Sequence, residues 1–167
     1  TALIQYYKDQ GANISAYFIN YNQDSIESEN ISVEKIVKYF NIPLRKISLG
    51  YKIKKNNFEY TMRNSLFINI VASTIEEDVD IIAMGIHNGT DYYDCSKKFI
   101  STMQDILDGY FKGKVNIDVP FIDWYKNDIF RYARTKDIPI EMTYSCEKQS
   151  FTPCGNCPSC IDRKGRV

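Results

Sequence analysis

The chain has 167 residues, of which 44% are hydrophobic, enough to build the core of one domain of ordinary size. Lysine plus arginine balance aspartate plus glutamate, 21 against 21, so no net field draws in nucleic acid or an anionic membrane. There is no secretory signal and no apolar run near the ~20 residues of a membrane span, and the expectation is a cytoplasmic protein without a membrane partner. No internal repeat or low-complexity stretch interrupts the chain, so a single domain over 1–167 is expected.

In chain order, the segment Thr1 to Gln10 (TALIQYYKDQ) has helical spacing and stops at Gly11. A β-rich run follows from about Ile14 to Asn20. The pattern from about Ser32 to Phe40 predicts an amphipathic helix ending before Pro43, and LRKISL after it reads as a strand. NSLFINIVASTIEE (Asn64 to Glu77) predicts a mostly apolar helix. DIIAMGI, next, is a continuous apolar run of the kind buried in a parallel sheet. Ser96 to Phe111 reads as helix, KVNIDVPF as strand, and Trp124 to Lys136 as helix. Strand and helix in alternation predict an α/β fold built on a parallel sheet.

Ligands of such sheets bind beyond the carboxyl ends of the strands. Three polar loops sit there: NYNQDS (Asn20 to Ser25), the lysine-containing stretch Gly50 to Arg63, and GIHNGTDYYDC (Gly85 to Cys95). The third gathers two glycines, His87, Asp91, Asp94, two tyrosines and Cys95 within eleven residues. Its density favours a binding site; the alternative is a solvated turn held by local Asx hydrogen bonds. Lys52, Lys54 and Lys55 read as a solvated face.

Four of the five cysteines, Cys146, Cys154, Cys157 and Cys160, fall in SCEKQSFTPCGNCPSC with the spacing C-x7-C-x2-C-x2-C. Two close knuckles with Gly155 and Pro158 in their turns, plus a returning fourth cysteine, suit tetrahedral zinc with four thiolates. A pair of disulfides would need an oxidising compartment, and a redox CxxC would not need the two extra cysteines. Four thiolates close the coordination sphere, so the expected zinc is structural, in a knuckle spanning 145–163.

Three features together resemble the 7-cyano-7-deazaguanine synthase (QueC) family: Arg63-Asn64 opening an apolar helix, DIIAMGIHNGTDYYDC, and the terminal cysteine cluster. KKFISTMQDIL and VPFIDWYKNDIFRYARTKDIPIEMTYSC continue the likeness in the family's order. The resemblance implies a Rossmann-like fold of the adenine nucleotide alpha hydrolase (HUP) type, with helices on both faces of the sheet and a C-terminal zinc segment. It implies a PP-loop enzyme that uses ATP with Mg2+ to turn 7-carboxy-7-deazaguanine and ammonia into the nitrile preQ0, for queuosine and deazapurine synthesis, as a homodimer. By position, His87, Asp91, Asp94 and the loop around them would face the deazaguanine, and Arg63 with Asn64 would lie near the nucleotide or substrate. Cys95 matches the family's Asp-Cys pair and reads equally as a small buried residue.

Two departures accompany the likeness. The family's Ser-Gly-Gly-x-Asp-Ser phosphate loop does not occur in the chain, and TALIQYYKDQG resembles the helix that follows that loop. The expectation is that the loop and the first strand lie upstream, which leaves the catalytic residues of this chain unassigned. NYNQDS stands where the family carries a Gln-Arg-His run; Gln23 matches, Asp24 and Ser25 do not. Two other classes therefore stay open. One is a QueC-like enzyme adenylating another acceptor, such as a tRNA, a DNA-modification precursor or a defence-system protein. The other is a non-catalytic zinc-stapled binding domain.

Overall fold

The computed structural model describes residues 1–56, 59–148 and 151–164. Residues 57 and 58 of the second polar loop, and 149 and 150 of the predicted knuckle, lie outside that set. The helices and strands in chain order are α1 (Ala2–Lys8), β1 (Ala16–Asn20), α2 (Ile26–Phe40), β2 (Leu44–Ser48), β3 (Lys55–Asn56), β4 (Glu59–Tyr60), α3 (Arg63–Ala72), β5 (Ile81–Ala83), α4 (Lys97–Phe111), β6 (Asn116–Asp118), α5 (Lys126–Thr135) and α6 (Pro158–Arg163). Contacts divide the chain into two compact units, one of Thr1–Ile53 with Phe130–Val167 and one of Lys54–Ile129. The class is α/β with parallel strand pairing, as the alternating pattern predicts. No described helix is long and apolar enough to cross a membrane.

In the first unit β1 and β2 pair in parallel, from Ala16 opposite Leu44 to Asn20 opposite Ser48. Helix α2 buries one stripe at four-residue spacing, Ser28, Ser32, Ile36 and Phe40. Its apolar half packs with Ala133 and Ile138. Its polar half is also buried: the Ser32 hydroxyl donates to Met142 O at 2.5 Å. The helix therefore starts six residues before the predicted Ser32, because two serines hide the first turns from a search for apolar periodicity. Asn41, at φ 51°, stops it in the left-handed conformation.

In the second unit β5 and β6 pair in parallel, Ile81 to Asn116 and Ala83 to Asp118. Ile68 of α3, Phe99, Met103 and Leu107 of α4, and Ile82, Val115 and Ile117 of the strand region form the core. Truncating Leu107, 1% exposed, would cost about 2–5 kcal/mol. Gln104 of α4 seals the far edge of β6: its amide nitrogen donates to Val115 O at 2.9 Å and its oxygen accepts from Ile117 N at 2.7 Å. Two predictions are trimmed here. Helix α3 ends at Ala72 rather than Glu77, where the Ser73 and Thr74 hydroxyls bond back to Ile70 O. Strand β5 is not buried on both faces: Ile82 is covered, whereas Ile81 is 40% exposed. A short antiparallel pair, β3 with β4, precedes α3 and has no sequence signal strong enough to be read.

Candidate functional site

Cys146, Cys154, Cys157 and Cys160 converge, with their sulfurs all within 4.8 Å of one another. A metal ~2.3 Å from each of four tetrahedral sulfurs sets them ~3.8 Å apart. Cys154 Sγ and Cys160 Sγ stand at 3.9 Å, and none of the four is in a disulfide. The set therefore fits a tetrahedral thiolate site.

Backbone N–H groups aim at the sulfurs: Cys154 N at Cys146 Sγ, Cys157 N at Cys154 Sγ and Cys160 N at Cys157 Sγ, each at 3.4 Å. Burial pushes the Cys146 thiol up, but the N–H groups of Cys154 and Lys148 and the Tyr144 hydroxyl bring it down to about 6. Cys160, in contrast, is driven up to about 12, by burial first and then by its neighbouring sulfurs. Like charges this close cannot all ionise without a cation among them.

The cluster is tied into the first unit. The Arg163 guanidinium of α6 donates to Ile140 O and Thr143 Oγ1, both at 2.8 Å, while Glu147 accepts from the Ser159 hydroxyl at 2.8 Å. The 3₁₀ turn Ile140–Met142 that Arg163 holds is the one whose last carbonyl α2 grips through Ser32.

Gln23 lies in the same unit, 3% exposed, in the turn from β1 to α2. Its oxygen accepts from Tyr21 N at 3.0 Å and its amide donates to Glu29 at 2.7 Å. Beside it Asn22, at φ 59°, donates to Leu49 O and Tyr51 O, fastening the turn to the exit of β2. A cleft of about 220 Å³ opens between the carboxyl halves of β1 and β2 and the start of α2, lined among others by Asn20, Ser48, Asn30 and Glu27. Lys52 is paired with Asp24 at 2.6 Å across an exposed surface.

In the second unit the structure brings Arg63, Asn64, Asp94 and Cys95 together. Asn64 N donates to Asp94 Oδ2 at 3.2 Å, and the Asn64 amide donates to Asp94 O at 3.0 Å. Asn64 and Asp94 are both 6% exposed. Cys95 Sγ lies 3.7 Å from Asp94 Oδ1 and 3.8 Å from Asn64 Nδ2. Burial, then the Asp94 charge, push its thiol up to about 11 against a smaller opposing pull from Arg63. Cys95 is thus a neutral thiol. Arg63 places its guanidinium carbon 6.0 Å from the Tyr60 ring centroid.

His87 and Asp91 belong to the same loop as Asp94. His87 Nδ1 lies 2.7 Å from Asn88 O, Gly89 N donates to Asn88 Oδ1, and Asn88 N donates to Trp124 O at 2.8 Å. Gly89, at φ +91°, makes this turn possible, and Asp91 is exposed. After Cys95, Ser96 caps α4 by accepting from Phe99 N at 3.1 Å. Sequence patterns do not single out Tyr60, Asn88 or the two buried serines of α2, since each acquires its role only from a partner distant in the chain or from a local backbone turn.

The family model described as queuosine biosynthesis protein QueC matches residues 52–166. That stretch holds the Asn64–Asp94 group, the 85–95 loop and all four clustered cysteines, and it leaves Gln23 outside. The 7-cyano-7-deazaguanine synthase of Sulfurihydrogenibium sp. (strain YO3AOP1) is 33% identical over 111 residues, 62% of this chain and 50% of the relative. The synthase of Aquifex aeolicus (strain VF5) is 32% identical over 111 residues, 62% of this chain and 51% of the relative. That of Campylobacter fetus subsp. fetus (strain 82-40) is 27% identical over 183 residues, 92% of this chain and 80% of the relative. The chain spans about half the length of the first two.

Proposed function

The chain belongs to the QueC family, and from that membership we propose that it is part of a cytoplasmic ATP-dependent 7-cyano-7-deazaguanine synthase. One observation carries the reading: the stretch matched by the family contains both the buried Asn64–Asp94 pair, with the half-buried Cys95 beside it, and the four-cysteine cluster.

The reaction proposed has two activations. A carboxylate is a poor electrophile, so the carboxylate of 7-carboxy-7-deazaguanine attacks the α-phosphorus of ATP, releasing pyrophosphate and giving an acyl adenylate. Ammonia adds to that carbonyl, AMP leaves and a proton is lost, giving the amide. The amide oxygen attacks the α-phosphorus of a second ATP, releasing a second pyrophosphate, and loss of AMP with the two remaining N–H protons closes the nitrile. Residues 1–167 contain no Ser-Gly-Gly-x-Asp-Ser run, so the phosphate contacts are assigned to no residue here. Mg2+ on the phosphates belongs to the same proposal.

This chain's own part is orientation and charge. Arg63 presents a cation at the start of α3 for an anionic group, His87 and Asp91 offer polar contacts from the loop, and Asn64 and Asp94 hold the first turn of α3 through their hydrogen bonds. Gln23 orders the other polar turn, at the carboxyl end of β1. Cys146, Cys154, Cys157 and Cys160 would hold a structural zinc, which contributes folding free energy and takes no step in the reaction.

The test is incubation of the full-length protein with Mg-ATP, ammonium and 7-carboxy-7-deazaguanine, with small molecules followed by mass spectrometry. The nitrile with AMP and pyrophosphate is the expected result. Amide that accumulates without nitrile would remove the second activation, and no conversion by folded protein would move the activity to another acceptor.

A further inference from the structure

Helix α3 begins without a cap of its own. Met62 holds the N-cap place in the left-handed conformation, φ 61°, and makes no side-chain cap hydrogen bond. The acceptor comes instead from Asp94, thirty positions later, whose Oδ2 takes the Asn64 N–H while its backbone oxygen takes the Asn64 amide. A carboxylate in the first turn also complements the helix dipole. The other carboxylate oxygen faces the Cys95 thiol, a neutral group that donates to it. At 6% exposure, Asp94 has both oxygens engaged inside the protein. Arg63, next in the chain to the capped Asn64, is half-buried, with its guanidinium carbon 6.0 Å from the Tyr60 ring centroid.

We propose that Asp94 is a positioning residue: it caps α3 from the 85–95 loop and, through Asn64, fixes where Arg63 meets an anionic group of the ligand. The inference rests on the synthase reading for its ligand, and on geometry alone for the cap. Asp94 itself touches no reacting atom. Two acceptors from one residue onto the backbone and the side chain of another define both the position and the rotation of the first helical turn, which a single bond would not.

The experiment uses the full-length protein as wild type, Asp94→Ala, Asp94→Asn, Arg63→Ala and the Asp94→Ala/Arg63→Ala double variant, with KM for the deazaguanine and kcat measured for each. Asp94→Ala is expected to raise KM about tenfold with kcat changed less than about threefold. Asp94→Asn keeps an acceptor for the Asn64 N–H and is expected to recover most of that loss. In the Arg63→Ala background, removing Asp94 should cost little more, because both act on one contact. A collapse of kcat in Asp94→Asn with KM unchanged would overturn the proposal and put the carboxylate on the substrate. Additive losses in the double variant would overturn it as well.

Should Asp94→Ala fail to fold, the Asp94→Asn kinetics decide alone. Wild-type protein that converts nothing would remove the synthase reading and leave the cap to be settled by hydrogen exchange. The Asn64 amide should exchange about five- to tenfold faster in Asp94→Ala than in wild type, as loss of a helix cap implies. Unchanged exchange would overturn the cap, whatever the enzyme turns over.

Discussion

The cysteine cluster of the first unit and the Asn64–Asp94 group of the second are both small, buried and polar, yet they are completed differently. The Asn64–Asp94 pair satisfies itself: each hydrogen-bonding atom it buries finds a partner within the chain. The four cysteines do not. Four thiols gathered within 4.8 Å of one another cannot all ionise, even with backbone N–H donors aimed at them, unless a cation sits among them. One site is finished by its sequence and the other asks for a cation. A buried polar group signals a ligand only when the chain leaves part of it uncompensated.

Metal removal should separate the two most strongly. Binding of zinc to four thiolates contributes on the order of 10 kcal/mol at neutral pH, and that free energy is coupled to folding. Protein purified without chelator is expected to hold one zinc per chain by elemental analysis. Stripping it, or replacing Cys157 with Ser, should release α6 to proteolysis, lower the melting temperature and loosen the 3₁₀ turn that Arg163 and Ser32 share. An absence of metal in folded, reduced protein would end the zinc assignment. Exchange at the Asn64 amide should be untouched by the chelator, since nothing in its pairing depends on the ion.

A change of intermediate size tests the self-satisfied site. Asn64→Ala strips Asp94 O of its donor in a buried setting and should cost about 1–3 kcal/mol in chemical denaturation. The cost should be the same with zinc present or removed. A loss that appeared only in metal-free protein would mean that the two sites are coupled, and the contrast between them would fail.

What the sequence made legible follows the same division. Cysteine spacing is local, so Cys146, Cys154, Cys157 and Cys160 read as one group from their spacing alone, and they converge. Asp94 and Asn64 stand out as polar residues in suspicious places, but not as a pair, because thirty positions separate them. Helix α4, whose buried face of Phe99, Met103 and Leu107 is apolar, matches its predicted span to one residue. Helix α2 does not: its buried stripe turns polar at Ser32 and Ser28, and only the distant Met142 carbonyl explains why a hydroxyl belongs there. Local periodicity records burial of apolar groups, and it is blind to burial secured by a distant hydrogen-bond partner.

The smallest expected effect lies on the surface and serves as the control for both buried sites. Asp9 pairs with Lys136 at 2.8 Å and accepts from Gln5 at 2.7 Å and from the Tyr132 hydroxyl at 3.3 Å. The Lys136 contact first, then Gln5, hold its carboxyl below the ordinary value of 3.8. A depressed carboxyl contributes stability above its unfolded value, and that contribution fades as pH falls through the lower folded one. Asp9→Asn should therefore differ slightly from wild type near pH 7, with the difference shrinking below about pH 3 and in about 1 M salt, where the Debye length is near 3 Å. Melting curves at the two pH values and two salt concentrations check it. A difference that survived both acid and salt would have to come from the Gln5 and Tyr132 contacts rather than from charge, and an exposed cluster would then be behaving like the buried ones.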